Sequence, residues 1–202
     1  MTDNEWDDLL HIKTTGRDDS HADACGYPYE PTPYAVLERL ANTGYIRKGN
    51  TLLDYGCGKG RVDFFLSWQT RCRSIGVEYD RRIYEKARDN MKTGAAAGRV
   101  SFVLAHAEDY AVPQEVDRIY FFNPFSLSVL QNAMHQILES CHQAPRDILL
   151  CFYYPSDSYM EYLQTVRDLV LYDDIDCRDL EEQHERERIV IFLLRGTSHG
   201  ND

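Results

Sequence analysis

The chain has 202 residues, 43% of them apolar and 27% charged, an ordinary globular composition that excludes collagen-like, mucin-like and wholly disordered chains and suits one domain with a real core. Its 22 Lys and Arg stand against 33 Asp and Glu, a net charge of -11, so a general basic groove for naked nucleic acid is not expected. The longest unbroken apolar run, Ile148 to Tyr154, is far shorter than a membrane span, and the acidic start MTDNEWDDLLH has no hydrophobic signal core, which predicts a cytoplasmic protein with no membrane partner.

Taken along the chain, residues 1–24 carry seven acids against Lys13 and Arg17 and read as a loosely held acidic arm, with a short helix around Trp6 to Ile12. Cys25 to Pro33 is rich in turn formers and aromatics, an ordered loop rather than a linker. Thr32 can cap a helix with Pro33 at its first position and Gly44 past its end. Val36, Leu37, Leu40 and Ala41 give that helix one apolar face. A short buried strand is predicted over 51–54, a helix over about 60–69 and a second strand over 74–78. A helix follows over 80–91, with Arg81, Arg82, Lys86 and Arg88 on a solvated face, then strands over 100–105 and 116–122. The next helix has the clearest pattern: Val129, Leu130, Ala133, Met134, Ile137, Leu138 and Cys141 fit a 3.6-residue period. A strand over 147–153 and a helix over 155–168 come next. Two closing strands, about 169–177 and 188–194, have no helical pattern between them. Residues 25–195 thus read as a single domain, and the tail 196–202 is expected to fray.

The cysteines at 25, 57, 72, 141, 151 and 177 show no CxxC spacing and no complementary His pair, so no metal site is expected. Cys72, Cys141 and Cys151 read as small buried fillers. Repeated strand–helix alternation argues for a parallel sheet with helices on both faces, and the two closing strands for a hairpin-like addition at one edge. Ligands of such sheets sit beyond the C-terminal strand ends, which places any chemistry after Asp54, Glu78, Ala105 and Phe122.

The strongest motif stands at the first of these ends: Asp54-Tyr55-Gly56-Cys57-Gly58-Lys59-Gly60. Glycines at alternate positions let a ligand lie against bare backbone, and the following helix N-terminus offers free N–H groups. The spacing is G-x-G-x-G rather than the G-x-G-x-x-G of dinucleotide folds, which counts against a nicotinamide oxidoreductase. Asp54 would repel a pyrophosphate and suits a ligand with a cationic amine. A ligand-free tight turn would need fewer glycines. Glu78, a lone acid after an apolar strand about 20 residues on, stands where a ribose diol is held. A carboxylate can accept from both hydroxyls. Asp80 is better placed than Glu78 to cap the next helix.

With these two acids and the glycines, about residues 50–195 resemble class I, Rossmann-like S-adenosylmethionine-dependent methyltransferases. The resemblance implies a doubly wound, mostly parallel seven-stranded sheet with helices on both faces and the last strand antiparallel. It implies that Asp54, Tyr55, Gly56, Cys57 and Gly58 hold the methionine end of S-adenosylmethionine, that Glu78 holds the ribose, and that Tyr79 packs on the adenine. After the third strand many relatives have Asp-Ala, whereas this chain has His106-Ala107-Glu108, so Ala107 backbone or Glu108 would serve the adenine amino group. Asn123-Pro124-Phe125 resembles the Asn-Pro-Pro-aromatic motif of amino-nitrogen methyltransferases, in which the Asn orients the acceptor and the ring stacks on it, but has one proline and an earlier ring. A tight turn into the next helix is the plainer reading of those residues. The region 25–45 would form an N-terminal lid, with Tyr29 and Thr32 at the cofactor carboxylate; surface packing is its alternative. The function implied is transfer to a nitrogen of a protein or small-molecule acceptor. A nucleic-acid amino-base methyltransferase is the second reading, favoured by Asn-Pro-Phe and disfavoured by charge. A non-catalytic cofactor-binding or regulatory module is a third, opposed by the intact glycine loop with both acids.

Overall fold

Short apolar runs rich in β-branched and aromatic residues pair into one sheet. The strands are β1 (Thr51–Tyr55), β2 (Arg73–Glu78), β3 (Val100–Leu104), β4 (Arg118–Phe122), β5 (Ile148–Tyr153), β6 (Leu169–Asp176) and β7 (Arg188–Leu194). The structure, a computed structural model, describes residues 1–16, 30–123, 125–180 and 184–196. Tyr29, Pro124, Cys25 and most of the aromatic loop and tail lie outside the described residues. The strand order is β3-β2-β1-β4-β5-β7-β6. Neighbours from β3 to β5 run parallel, while β7 is antiparallel to both β5 and β6. The closing strands do form an antiparallel pair at one edge; the later strand, β7, lies inside, between β5 and β6. Every residue of β1 and β5 is buried, as parallel strands covered on both faces require.

The helices are α1 (Asp3–Leu10), α2 (Tyr34–Asn42), α3 (Arg61–Thr70), α4 (Arg81–Asn90), α5 (Leu127–Gln143) and α6 (Asp157–Leu163). Strand side chains alternate between faces. Leu52, Tyr120 and Cys151 therefore pack with Leu37, Leu40 and Phe65 of α2 and α3, and Leu53, Tyr55, Phe121 and Phe152 pack with Leu130, Met134 and Ile137 of α5. Asp54 shares the Leu52 face. Among the described residues no helix is long and apolar enough to cross a membrane, and the described cysteines are free and buried.

Three expectations need correction. Thr32 does not cap α2: Pro33 takes the N-cap position without a side-chain bond. The Thr32 hydroxyl instead meets the buried Tyr120 hydroxyl at 3.0 Å, because a phenol sealed in the core needs a polar partner. The helix expected over 155–168 stops at Leu163, and the chain then turns, with Asp168 left-handed at φ 65°. Most consequentially, residues 1–16 are no loose arm. Trp6, Leu10 and Ile12 are buried, and the Trp6 indole stacks on Tyr34 at 5.6 Å and meets Phe65 edge-on at 5.0 Å. The acid count misled because one of those acids, Asp7, is an interior anchor. It accepts from Thr14 N and Oγ1 at 2.6 Å each, from Tyr34 Oη at 2.6 Å and from Thr15 N at 2.9 Å.

Burial opposes the charge on Asp7, but the donors from Thr14, Tyr34 and Thr15 outweigh it and hold the carboxyl below the ordinary range. Stability from a depressed carboxylate is complete above the ordinary carboxylate pKa and is lost as pH falls through the depressed one. Asp7→Ala strands several buried donors at about 1–3 kcal/mol each. Urea denaturation at neutral pH should show a loss of about 3 kcal/mol, shrinking in strongly acidic buffer; a loss under 1 kcal/mol would rule out the anchoring role.

Candidate active site

The glycine turn after β1 folds back over the end of β2. The Val77 carbonyl accepts from both Gly56 N at 2.9 Å and Cys57 N at 3.1 Å, and Gly60 N donates to Cys57 O at 2.9 Å. Gly56, Gly58 and Gly60 all have positive φ, at 75°, 57° and 86°, a conformation that costs residues with a Cβ about 1–2 kcal/mol apiece. Gly60 is doubly required, since a Cβ there would collide with the Phe102 ring. The turn also needs Gly76, which the motif reading passed over. A Cβ on Gly76 would lie 2.7 Å from Cys57 Cβ and 2.6 Å from Phe102 Cδ1. The available signal was a lone glycine inside an apolar strand, which marks close approach of another backbone.

Three carboxyl groups are buried around this turn: Asp54 at 2% exposure, Asp63 at 0% and Glu78 at 6%. Glu78 reaches back to the turn, where Oε2 accepts from Gly58 N at 3.0 Å, while Oε1 accepts from Asp80 N at 2.8 Å. A carboxylate has about four acceptor positions, so these bonds do not exhaust it. Burial raises the Glu78 pKa against the pull of these N–H groups. Asp54 Oδ2 meets no donor, and burial, with Asp63 and Glu78 nearby, pushes its pKa well up. Asp63, in the first turn of α3, accepts from Ser74 Oγ at 2.5 Å through Oδ1, but its Oδ2 is also without a donor. Asp63 is a second residue the motif reading missed; its signal was a single acid inside the apolar run Val62 to Leu66. Burial, together with the same three carboxyls, also drives the Cys57 thiol pKa well up, so Cys57 is an inert thiol here.

At the neighbouring strand ends, the Tyr79 ring is exposed and stacks with His106 at 5.8 Å and 29°. Ala107–Asp109 form a short 3-10 turn, and the Glu108 carbonyl accepts from Gln136 Nε2 at 3.2 Å. Tyr55, on the opposite face from Asp54, stacks on Phe121 at 5.1 Å, so its backbone but not its ring reaches the turn. Thr32 is buried on Tyr120 rather than open toward a ligand. Its carbonyl accepts from the buried Arg61 guanidinium at 3.2 Å.

After β4, Asn123 is half-buried and left-handed at φ 36°. Phe125 does not stand beside it as an acceptor platform. Its ring is 7% exposed and packs edge-on to Tyr55 and Phe121, while its carbonyl accepts from Tyr159 Oη at 2.5 Å. The ring is drawn inward because α5 begins at Leu127 and turns that face to the core. A different aromatic lies next to Asn123. Phe122 is in register with Tyr153, so Tyr154 flanks Asn123, and it too is left-handed, at φ 52°. An aromatic residue in that region is strained, a state that clusters at functional sites. The Tyr154 ring meets His184 at 5.4 Å, and the Arg186 guanidinium lies 5.5 Å from its centre.

Residues 52–147 match the family model described as a methyltransferase domain. A protein-lysine N-methyltransferase of Saccharolobus islandicus is 29% identical over 77 residues, 38% of this chain and 48% of that relative; the matched part thus spans about half of the relative's length. An RNA methyltransferase from Salinibacter ruber, solved with S-adenosyl-L-homocysteine, is similar in fold, with a TM-score of 0.58, 18% identity and coverage of 86% of this chain and 97% of that one. A S-adenosylmethionine-dependent methyltransferase from Thiobacillus denitrificans, also solved with S-adenosyl-L-homocysteine, gives a TM-score of 0.54 at 14% identity, covering 81% and 91%. Residues 52–147 thus match a methyltransferase domain, and the fold is that of solved Rossmann-like S-adenosylmethionine-dependent methyltransferases.

Gly76→Ala tests the seat of the turn. Its Cβ must push Cys57 off β2, so calorimetry should show S-adenosylhomocysteine binding weakened at least about tenfold, roughly the 1–3 kcal/mol cost of overpacking. Unchanged affinity would mean the turn is not held in place by this contact.

Proposed function

We propose that the chain is an active S-adenosylmethionine-dependent methyltransferase that acts on a nitrogen of a protein acceptor, a lysine side chain in the first instance. One observation carries the cofactor half of this reading: a bare left-handed turn flanked by Asp54, a buried carboxyl with an oxygen that meets no donor. A buried acceptor without a donor is costly, and an amino-acid ammonium group would supply what is missing. In this reading Asp54 and the backbone of Tyr55, Gly56, Cys57 and Gly58 hold the methionine end, and the Glu78 carboxylate takes the ribose hydroxyls. Tyr79, next to Ala107 and Glu108 across β2 and β3, covers the adenine. Tyr29, beyond the described residues, remains the lid candidate at the carboxylate end.

S-adenosylmethionine, when bound, supplies a methyl group already activated on a sulfonium. The protein has to hold the acceptor in line and exclude water, and orientation alone can contribute roughly 7–11 kcal/mol. Asn123 has the right position for this: its side chain can accept from the acceptor N–H and turn the nitrogen lone pair toward the methyl group, while Tyr154 walls the cleft. Desolvation of a lysine there favours its neutral, nucleophilic form. The net charge of -11 suits a cationic protein acceptor, in keeping with the lysine specificity of the Saccharolobus relative. Methylation of an RNA amino group is the second reading, favoured by Asn123-Pro124 and by the activity of the Salinibacter protein.

Methyl-tritiated S-adenosylmethionine offered with lysine-rich protein and, separately, with RNA tests the acceptor. Label should enter protein and be recovered as methyl-lysine; label entering RNA alone would overturn the protein reading. Asn123→Ala should keep S-adenosylhomocysteine affinity within about twofold and lose at least about a hundredfold in transfer, the range of a lost positioning contact. Glu78→Ala removes two charge-assisted acceptors worth about 1.5–3 kcal/mol each, so it should weaken S-adenosylhomocysteine more than about tenfold by calorimetry; unaltered binding would remove Glu78 from the ribose.

A further inference from the structure

Resting on the reading above, in which Asp54 meets the cofactor's ammonium group, we infer that Asp54 and Asp63 hold one proton between them, that this proton leaves to solvent when the ammonium docks, and that Asp63 thereby sets the charge of the site without touching the ligand. Both carboxyls are buried, and each has an oxygen with no donor. Ser74, which donates to Asp63, is in register with Leu52, and Leu52 and Asp54 share a face of β1, so both carboxyls lie over the same part of the sheet, where the charge of Asp63 raises Asp54. Two such buried acids without a cation are least costly with a proton kept on one of them. The same relation is seen in carboxyl pairs that cannot both ionise at close range.

Among the described residues, the groups acting on the pair include no cation. The groups acting on Asp54 are Asp63 from α3 and Glu78 from β2. Asp63 is faced by Asp54 and by Ser74 of β2, which donates to it. Cys57 on the turn and Tyr120 on β4 are both neutral, with pKa values raised first by burial. No lysine or arginine acts on either carboxyl among the described residues. The two nearest in sequence face the N-terminal segment: Lys59 Nζ donates to the Gly16 carbonyl at 3.2 Å, and Arg61 donates to Thr14 Oγ1 at 2.8 Å and Asp3 at 2.5 Å. Burial raises both carboxyls, Asp63 to about 7 and Asp54 well above its ordinary value, which favours a proton retained on the pair near neutral pH. The incoming ammonium replaces it: a charge-assisted N–H bond to Asp54 forms as the shared proton departs to buffer.

The test is calorimetry of S-adenosylhomocysteine, which bears the same ammonium, in two buffers of different ionisation enthalpy. The wild-type chain should release about one proton on binding near pH 7, and its affinity should weaken about tenfold for each pH unit below the pair's titration. Asp63→Asn keeps an acceptor for Ser74 and offers Asp54 an amide donor. It should bind with release falling to near zero and a flattened pH dependence. Ser74→Ala keeps both carboxyls and should keep the release. Binding by the wild-type chain without proton release overturns this inference alone, even if Asp63→Asn fails to fold. Undiminished release from Asp63→Asn overturns it too, whereas no binding by the wild-type chain overturns the functional reading as well.

Discussion

The way the glycine turn lies flat on β2 governs the rest of this molecule. One carbonyl, Val77 O, holds two successive N–H groups of the turn, and one carboxylate, Glu78, holds a third. That geometry forces left-handed backbone at alternate residues and leaves room for no side chain on Gly76. With the turn pressed down, α3 starts directly above the sheet, and nearly everything from Arg61 to Ser67 is sealed. The carboxyls of Asp54, Asp63 and Glu78 are consequently enclosed together. A looser turn would let water reach them, and their chemistry would be that of ordinary surface acids.

Enclosure separates the charges. Lys59 and Arg61 flank the turn, yet both are engaged by residues 1–16, with Arg61 stacked over the Tyr34 ring at 4.3 Å. A buried guanidinium is tolerable only with its donors satisfied, and the N-terminal segment provides those acceptors. Had Arg61 turned toward Asp63, the acids would have been neutralised internally, and a cationic ligand would have had to compete with a covalently tethered rival. The first sixteen residues thus do more than add apolar area: they engage the cations that flank the turn.

Most of the framework was legible in the sequence because it rests on local periodicity. The 3.6-residue repeat from Val129 to Cys141 and the apolar runs of β1, β2 and β5 declare their structure in any context. The alternate glycines and the position of Glu78 were legible for the same reason, since backbone geometry is demanded within a few residues. What was hidden depends on contacts far along the chain. Asp7 and Tyr34 are 27 positions apart, so average acidity concealed an anchor. Thr32 found Tyr120 across 88 positions, which overrode its local talent for capping. Phe125 looked like a ligand platform until the start of α5 fixed the side on which its ring falls. Tyr154 could not be singled out, because nothing local reports its left-handed backbone.

The two ends of the site differ in kind, and the difference bears on the chemistry. The β1 and β2 ends present bare backbone and carboxyl oxygen, which suit a cationic ligand. The β4 and β5 ends present Asn123 and Tyr154 side by side, both in left-handed conformation, backed by Phe122 against Tyr153 at 4.7 Å. Strain in two adjacent strand ends persists only where surrounding packing over-determines it; here the pairing of Tyr154 N with Arg188 O at 3.1 Å and the Tyr153 hydroxyl on Glu187 at 2.6 Å do so. An amine entering between these halves passes from water to an aromatic wall, where a positive charge is worth less than a free lone pair. The carboxyls that would restore its charge are buried around the turn. A site so divided would draw a cation to one side and favour a neutral nucleophile on the other, as the proposed transfer from a sulfonium to a nitrogen requires.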